Sequence, residues 1–536
     1  MPIPVILMQP RVNTANLIRS QLWKQWAIAA TIVVLIYAVT IPFAPYLHPD
    51  ELLTLDMGRT ILNPHKSWSI GWLLDQGQPV LLFTYVGPVL QEFSYWVMGQ
   101  FGPRISALSG AILAATVMMA WLKNKRIPDN AALLLSLAFL LDPLFVQAYT
   151  IGRVDGWAMA CSLSACLIIS NATNQPAKCA FAKYKLLFAG ALTCLSVFVW
   201  ASAAFLIPLV ILELVSFIRS YSKCAEQNNR GKSVLFFVAG GCLMLALLLA
   251  PILGWLTREF TDVLSSIVIN LKSGQDANKP SFASKTLTSL ARLFGILKFT
   301  PVIVMAALAG IVYRKSIGLI ISMAFAVFLM IETFVYIQRV QYLLPYLIAC
   351  TALLYQEDES RRSIAPGSKF KSASLIIILI WCTGLSVAAR TVLAFNGSET
   401  RNRHIISLAA QTFLNRGNYR VFAPYEFYYT GTSLRWRMYS PYIPINDTFT
   451  TGILQKLMPH VDYIIVKSET ELPDEYLQVL HNNNVYLEST FNPYVVPDAK
   501  FDGKTTNITR LRNLYSLFRQ PYGPYRFYKR KELSSK

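Results

Sequence analysis

Long apolar segments separated by short polar ones recur along the first three quarters of the chain. The first apolar segment runs from Trp26 to Phe43. Ten more lie near 104–122, 131–149, 156–171, 186–199, 203–218, 233–256, 297–313, 317–336, 341–355 and 373–393. At about 1.5 Å of rise per residue, helices of this length cross most of a hydrocarbon core of roughly 30 Å. The pattern predicts about eleven transmembrane helices.

The apolar segment 79–98 differs from the others because it contains two prolines, a glycine and Glu92. We expect it to lie as a helix in the membrane interface, within the first outer loop. With the N-terminus in the cytoplasm, the inner segments then hold 19 Lys and Arg residues, whereas the outer segment 44–103 holds only two. This distribution follows the positive-inside rule, and counting 79–98 as a span would reverse it in the following loops.

An odd number of spans places the rest of the chain outside, where the apolar runs become short. The stretches "YRVFA" (419–423), "DYIIVK" (462–467) and "NVYLEST" (484–490) predict strands, and helical patterns lie at 403–415 and 474–482. The basic tail 522–536 is predicted to be a surface strand followed by a solvated end, with a contact to an acceptor glycan or an anionic lipid as the alternative. We therefore predict two domains, a transmembrane domain over 1–393 and an extracytoplasmic α/β domain over 394–536.

Composition supports a polytopic membrane protein. Of 536 residues, 54% are hydrophobic and 15% are charged, and the mean hydropathy is +0.41. We attribute the net charge of +20 to the Lys and Arg residues that set membrane topology and that are attracted to lipid headgroups. We expect no nucleic acid as a partner. The eight cysteines end at Cys382 without a zinc-like spacing, and the outer-loop histidines His48 and His65 complete no ligand pattern. We expect no required cofactor; a divalent metal held by these histidines and nearby carboxylates stays open as an alternative that no ligand spacing indicates.

Three separated outer segments bring acids and arginines to one face of the membrane. They are "PYLHPDELLTLDMGRTIL" (45–62), "YTIGRVDGW" (149–157) and "YIQRVQYLLPY" (336–346). A carboxylate can take a proton from an acceptor hydroxyl, and a guanidinium can hold a phosphate at the interface. A sugar carried on a lipid phosphate needs both groups, and no nucleotide-binding loop is found.

These segments resemble motifs of the GT-C fold glycosyltransferases that use polyprenyl-phosphate sugars, such as protein O-mannosyltransferases and aminoarabinose transferases. The similar motifs are "PDE" (49–51) with Asp56 and Arg59, "FGPRISALSGAILAATVMMAWL" (101–122), "GRVDG" (152–156) and "RVQYLLPYL" (339–347). The resemblance covers about residues 20–360. It implies a membrane hexosyl- or pentosyltransferase of the cell envelope, with a polyprenyl-phosphate donor and a lipid, glycan or protein acceptor.

The resemblance also assigns roles to residues. It implies that Asp50 is the general base of an inverting transfer and that Glu51 is a second catalytic carboxylate. The substrate-binding residues it implies are Arg59, Gln78, Arg153, Asp155, Arg339 and Tyr342. One departure lies in "GQPV" (77–80), where Gln78 stands at a position that often holds a cation. The phosphate contacts are then expected from Arg153, Arg339 or the loop 257–296.

Other interpretations of the same residues stay open. Asp50 and Glu51 also stand at a helix start, where negative side chains stabilise the helix through its dipole. Asp56 and Arg59 are spaced as an exposed ion pair on one helix, which is the interpretation we prefer for Asp56. Arg339 is also placed to reach lipid headgroups from a span end. At the level of function, the alternatives are a lipid or oligosaccharide transporter, or a polymerase or ligase that uses pyrophosphate-linked donors.

Overall fold

The computed structural model describes residues 14–45, 48–62, 84–174, 179–221, 230–252, 282–312, 317–333, 335–356, 368–439, 451–468, 472–492, 518 and 521–531. The α-helices up to the end of the membrane region are α1 (Thr14–Thr40), α2 (Pro49–Leu62), α3 (Val86–Met98), α4 (Gly102–Asn124), α5 (Asp129–Leu140), α6 (Pro143–Thr150), α7 (Asp155–Asn174), α8 (Cys179–Val199), α9 (Ile207–Tyr221), α10 (Arg230–Leu249), α11 (Phe282–Leu297), α12 (Val302–Val312), α13 (Ile317–Thr333), α14 (Ile337–Val340), α15 (Leu344–Ala352), α16 (Ser368–Cys382) and α17 (Ala389–Phe395). The later helices are α18 (Arg403–Phe413), α19 (Tyr428–Ser433), α20 (Thr451–Leu457) and α21 (Asp474–Asn482).

The predicted helical membrane fold is confirmed. Among the described residues, seven helical stretches are long and apolar enough to cross a membrane: Gln21–Phe43, Val86–Asn124, Asp155–Asn174, Ala201–Ser220, Val234–Ile252, Ile337–Tyr355 and Ala373–Phe395. Two bent helix pairs raise the number to nine if each pair is one span. These pairs, bent by 53° and 116°, are Asp129–Leu140 with Pro143–Thr150, and Thr286–Leu297 with Val302–Gly310.

The sequence predicted about eleven spans, and the difference has identifiable causes. The predicted spans 131–149 and 297–313 are the two bent pairs. At the first break, the Asp142 carboxylate accepts a hydrogen bond from the Leu144 backbone N–H at 3.0 Å, which caps a new helix starting at Pro143. The predicted span 317–336 is a shorter apolar helix, α13, and the predicted span 186–199 lies within α8.

The apolar segment 79–98 has a helical core, α3, which turns at Gly99 towards α4. The 23 residues of α4 are already about 35 Å long, enough to cross a membrane by themselves. One side of α3 is buried at Gln91 and Glu92, while Phe93 and Trp96 remain more than half exposed. This arrangement suits a helix that lies at the membrane interface.

Close packing of α4 against α7 fixes the start of α7, where Asp155 lies. A Cβ atom on Gly156 would be 2.5 Å from the Ala111 backbone nitrogen, and one on Gly110 would be 2.6 Å from the Trp157 ring. Small residues at both positions let the two helices approach closely, as membrane helix interfaces often require.

The C-terminal region contains a five-stranded sheet in the order β2-β1-β3-β5-β4. Its strands are β1 (Arg420–Phe422), β2 (Arg437–Tyr439), β3 (Tyr463–Lys467), β4 (Val485–Phe491) and β5 (Tyr525–Arg530). Strand β1 pairs in parallel with β2 and β3, whereas β5 pairs antiparallel with β3 and β4. The tail does form a strand, β5, but its predicted position at the surface is wrong. Strand β5 lies between two other strands, and its residues Tyr525 and Phe527 are buried.

Candidate active site

A cluster of four side chains joins three separate parts of the chain. Arg153 donates through Nη1 to the Asp50 carboxylate and through Nε to Asp155 Oδ2 at 2.6 Å. The Tyr342 hydroxyl donates to Asp155 Oδ1 at 2.8 Å. The three outer segments singled out in the sequence thus meet at one guanidinium, and we call Asp50, Arg153, Asp155 and Tyr342 the acidic cluster.

Local structure explains how each member reaches the cluster. Asp50 lies in the first turn of α2, and Asp155 is the first residue of α7. Arg153 lies in the turn between α6 and α7, and its guanidinium is 5.4 Å from the centre of the Trp200 ring. Tyr342 lies in a short 3-10 turn between α14 and α15. Two rigid helix starts and an aromatic face therefore hold the arginine in place.

The members of the cluster differ in exposure. The side chain of Asp50 is 20% exposed, whereas those of Arg153 and Asp155 are 4% and 1% exposed. Tyr342 is fully buried. Asp50 is therefore the carboxylate of the cluster that a bound molecule can reach.

The charges of the cluster keep Asp50 ionised. Burial alone would raise the pKa of Asp50, but the Arg153 guanidinium and His48 lower it, and the result is a pKa below the usual value. Burial lowers the pKa of His48 to about 4, so its ring is neutral at physiological pH and its Nδ1 accepts a hydrogen bond from the Asp50 backbone N–H at 3.0 Å. Burial would lower the pKa of Arg153, but Asp155 and Asp50 raise it well above its usual value.

Glu51 lies next to Asp50 in the chain but in different surroundings. Its carboxylate is completely buried and accepts hydrogen bonds from Arg104 at 3.1 Å and from the Tyr429 hydroxyl at 2.8 Å. Burial and the nearby Glu51 carboxylate raise the pKa of Tyr429, so this hydroxyl stays protonated as a donor. Glu51 therefore joins α2 to α4 and to the C-terminal region, and it faces no open space.

The structure does not bring Arg59 to the acidic cluster. Arg59 pairs through two hydrogen bonds with Glu92 of α3, at 3.0 and 3.1 Å. Its guanidinium also lies 5.3 Å and 5.4 Å from the ring centres of Tyr95 and Tyr428. The expected pair of Asp56 with Arg59 is not exposed, because both side chains are buried. Burial would lower the pKa of Arg59, but Tyr428, Glu92 and Asp56 raise it, so Asp56 still acts on the guanidinium.

The other predicted substrate-binding residues lie at varied distances from the cluster. Arg339 packs on the Tyr336 ring with its guanidinium 4.9 Å from the ring centre, and Tyr336 contributes to the electrostatic surroundings of Arg153. Arg339 therefore lies next to the acidic cluster, with Tyr336 between it and Arg153. Gln78 and the loop 257–281 lie outside the described residues. Within the described ranges, no group of three or more His, Cys, Asp or Glu side chains is placed to hold a metal ion.

Several residues important to the site were not singled out as site residues in the sequence. They are Glu92, Arg104, Trp200, Tyr428 and Tyr429. Arg104 lies in the "FGPR" stretch (101–104), so a motif marked its position without revealing its partner. The aromatic residues come from segments distant in sequence from the three segments that carry the acids and arginines, and nothing in their local sequence distinguishes them from other aromatics of the chain.

Solved structures share this arrangement of helices. No protein-family model and no curated protein sequence matches the chain. ArnT from Cupriavidus metallidurans bound to undecaprenyl phosphate superposes with a TM-score of 0.58 and 13% identity, over 86% of this chain and 95% of ArnT. The chain has the GT-C fold. ArnT in the apo state gives a TM-score of 0.54 and 12% identity over the same shares.

The archaeal oligosaccharyltransferase AglB from Archaeoglobus fulgidus, in complex with an inhibitory peptide and a dolichol-phosphate, is also similar. It aligns with a TM-score of 0.43 and 12% identity over 90% of this chain and 75% of AglB. That score is too low to carry a structural comparison. The ArnT superpositions confirm the GT-C fold expected from the motifs, and at 13% identity the likeness concerns the fold alone.

Proposed function

We propose that this chain is a membrane glycosyltransferase that moves a sugar from a polyprenyl-phosphate donor to an acceptor hydroxyl. The observation that supports this most strongly is the acidic cluster, in which one accessible carboxylate and one buried guanidinium are held together within a GT-C fold. A base for the acceptor and a cation for the donor phosphate are the two groups that this transfer needs. ArnT, of the same fold, was solved with a polyprenyl phosphate bound.

Arg153 is the proposed contact for the donor phosphate. Asp155 holds its Nε at 2.6 Å, while Nη1 points to the more exposed Asp50. A phosphate arriving beside Asp50 would take over Nη1, because a guanidinium binds phosphate oxygens as well as carboxylates. Asp50 would then lose the charge that lowers its pKa, and the pKa would move towards the range where a carboxylate is an effective base.

The proposed reaction is a single displacement with inversion at the anomeric carbon. The acceptor oxygen forms a bond to this carbon while the bond from the carbon to the phosphate oxygen breaks. The acceptor proton goes to Asp50, and the electron pair of the broken bond leaves with the polyprenyl phosphate. Glu51 does not touch the reacting atoms in this scheme and positions α2 instead.

The orientation of the chain in the membrane is also part of this proposal. With the N-terminus in the cytoplasm of a plasma or inner membrane, the acidic cluster and the C-terminal sheet lie on the extracytoplasmic side. The acceptor is then a lipid, glycan or protein of the cell envelope. Because Tyr429 of the C-terminal region contacts Glu51 directly, the region after residue 393 lies close enough to border an acceptor.

Replacement of Asp50 tests the proposed base. We expect Asp50→Asn to lower sugar transfer by a factor of about 10² to 10⁴, the usual contribution of a general base, while donor binding persists. The measurement is transfer by purified protein in nanodiscs with a panel of hexose- and pentose-bearing polyprenyl phosphates. Asp474→Asn is the matched control, because Asp474 is an exposed acid in the first turn of α21.

Equal activity of the two variants would contradict the proposal, since it would reduce Asp50 to an acid that only stabilises a helix start. A wild-type protein that neither binds nor turns over any donor, with Asp50→Asn unchanged in every assay, would favour a transporter.

A further inference from the structure

A second polar cavity lies away from the acidic cluster. It has a volume of about 500 Å³ and opens between Phe43, Gln100 and the stretch Ser398–Ser407. Arg401, Arg403 and His404 are among its lining residues. None of the four acidic-cluster residues lines it. We call this space the arginine cavity.

The arginine cavity lies at the ends of two candidate membrane spans. One of these spans ends at Phe43 and the other at Phe395. The rings of these two residues contact each other with centres 4.7 Å apart, and they are 39% and 45% exposed. One turn earlier, Val39 and Val392 are also mostly exposed. An apolar surface facing lipid tails therefore leads directly to the polar mouth of the cavity.

Arg401 is a buried cation that contacts backbone carbonyl oxygens and, among the described residues, no carboxylate. Its side chain is only 4% exposed, and it donates to the backbone carbonyl oxygens of Phe43, Leu393, Ala394, Asn396 and Phe518. In the described part of the chain, no carboxylate lies within 4.0 Å of this guanidinium, and its Nε has no acceptor. Burial lowers the pKa of Arg401 despite opposing effects of Tyr522 and Glu399.

Two further basic side chains lie beside Arg401. The Arg403 guanidinium packs 4.9 Å from the centre of the Phe101 ring and donates to the Ile41 carbonyl oxygen at 3.1 Å. His404 is exposed. The acid that lines the cavity is Glu399, which is exposed to solvent. The described lining therefore holds two arginines and one exposed carboxylate, a balance that favours an anion at its mouth.

We propose that the arginine cavity binds the phosphate headgroup of an acidic membrane phospholipid. The phosphate lies against Arg401, Arg403 and His404, and the acyl chains lie along the exposed surface of Val39, Phe43 and Val392. A lipid fits better than a soluble anion, because the cavity begins where the lipid-facing surface ends. A bound lipid would hold the end of α1 just before the segment that leads to Asp50.

A charge placed in the cavity tests this proposal without disturbing Arg401. Ser407 lines the cavity from α18 and is partly exposed, so Ser407→Glu adds a negative charge at little structural cost. Ser407→Gln is the control for size. Gln411→Glu is the control for charge, since Gln411 is exposed on the same helix and does not line the cavity.

The measurement is native mass spectrometry of the full-length protein after incubation with phosphatidylglycerol or phosphatidylcholine at equal concentration. We expect the wild type, Ser407→Gln and Gln411→Glu to retain phosphatidylglycerol at least fivefold more than phosphatidylcholine, and Ser407→Glu to lose that preference. Thermal melting in detergent must show the same midpoint for the three variants within about 3 °C, so that unfolding does not imitate loss of lipid.

Three results would overturn the proposal. These are a wild type without the preference, a Ser407→Glu variant that keeps it, and a Gln411→Glu variant that loses it to the same extent as Ser407→Glu. Displacement of phosphatidylglycerol by millimolar inorganic phosphate would instead indicate a site for a soluble anion. None of these results depends on sugar transfer, so the lipid site and the proposed enzyme activity can fail separately.

Discussion

Asp50 and Glu51 follow one another in the chain, yet their carboxylates have different partners. Successive residues on an α-helix point about 100° apart, so two neighbouring acids rarely face the same space. Asp50 points to Arg153 and keeps 20% exposure, whereas Glu51 is enclosed by Arg104 and Tyr429. The sequence motif therefore contains one accessible carboxylate, Asp50, and one buried carboxylate, Glu51, that holds α2 against its neighbours.

Tyr342 is expected to act on the reaction through Asp155. Removing its hydroxyl in Tyr342→Phe deletes the 2.8 Å hydrogen bond to a buried carboxylate, a contact that typically contributes about 1.5–3 kcal/mol. With Asp155 less firmly held, Arg153 is less well oriented, and we expect a roughly tenfold fall in the transfer rate. Initial rates in nanodiscs measure this effect.

Tyr346→Phe is the control for Tyr342→Phe. The Tyr346 hydroxyl, about one helical turn further, donates at 2.7 Å to the Phe205 carbonyl oxygen. We expect this variant to lower thermal stability and leave the transfer rate nearly unchanged. If both variants lower the rate equally, Tyr342 serves the fold rather than the site.

The turn between α6 and α7 is the element that positions Arg153. Gly152 has a φ of +75°, and a Cβ atom there would lie 3.0 Å from Cγ and Cδ of Glu51. The Gly152 carbonyl oxygen also accepts a hydrogen bond from Gln91 Nε2 at 2.7 Å. The turn is thus held between α2 and α3, and Arg153 follows it by one residue.

A pair of glycine replacements separates backbone strain from the contact with Glu51. Gly152→Ala and Gly397→Ala both place an alanine at positive φ, +75° and +68°, at a cost of about 1–2 kcal/mol each. A Cβ atom at 397 has no neighbour closer than 3.7 Å. We expect both variants to melt earlier, but only Gly152→Ala to lower transfer more than tenfold. Equal activity losses would mean that the turn has no special role.

Helices of this chain could be predicted where length and composition alone decide, whereas the angles at their breaks and their packing partners could not. The apolar runs from 104 to 122 and from 156 to 171 match α4 and α7 closely. Pro301 marks the position of the break between α11 and α12, but no local pattern specifies its angle of 116°. The same holds for the pair of Arg59 with Glu92, since 33 residues separate them and no local spacing links them.

In the whole molecule, α2 lies between the membrane helices and the C-terminal sheet. Leu52 and Leu55 of α2 belong to one buried cluster with Phe427 and Ile465 of the C-terminal region. The proposed division after residue 393 therefore separates the chain into two stretches that share a core. Strands β1, β3, β4 and β5 of the second stretch were predicted and β2 was not. The insertion of β5 between β3 and β4 was not predictable, because strand order is a property of tertiary packing.

The shared core predicts a specific effect of Leu55→Ala. Both Leu55 and Leu457 are fully buried, and truncating either to alanine should cost about 2–5 kcal/mol. Leu457 lies in a separate cluster on the other side of the sheet. We expect Leu55→Ala to increase proteolysis of the C-terminal region and also to reduce transfer, whereas Leu457→Ala should increase proteolysis with transfer retained. Transfer retained in Leu55→Ala would argue against coupling through α2.

The contact between Tyr429 and Glu51 also sets an order of events during synthesis. The two residues are 378 positions apart, so at about 5–20 residues per second the ribosome makes Tyr429 roughly 20–80 s after Glu51. Throughout that interval, α2 lacks the C-terminal residues that pack on Leu52 and Leu55 and that complete the contacts of Glu51. A nascent chain can therefore insert its first helices long before its site is assembled, and a product of incomplete translation would occupy the membrane without activity.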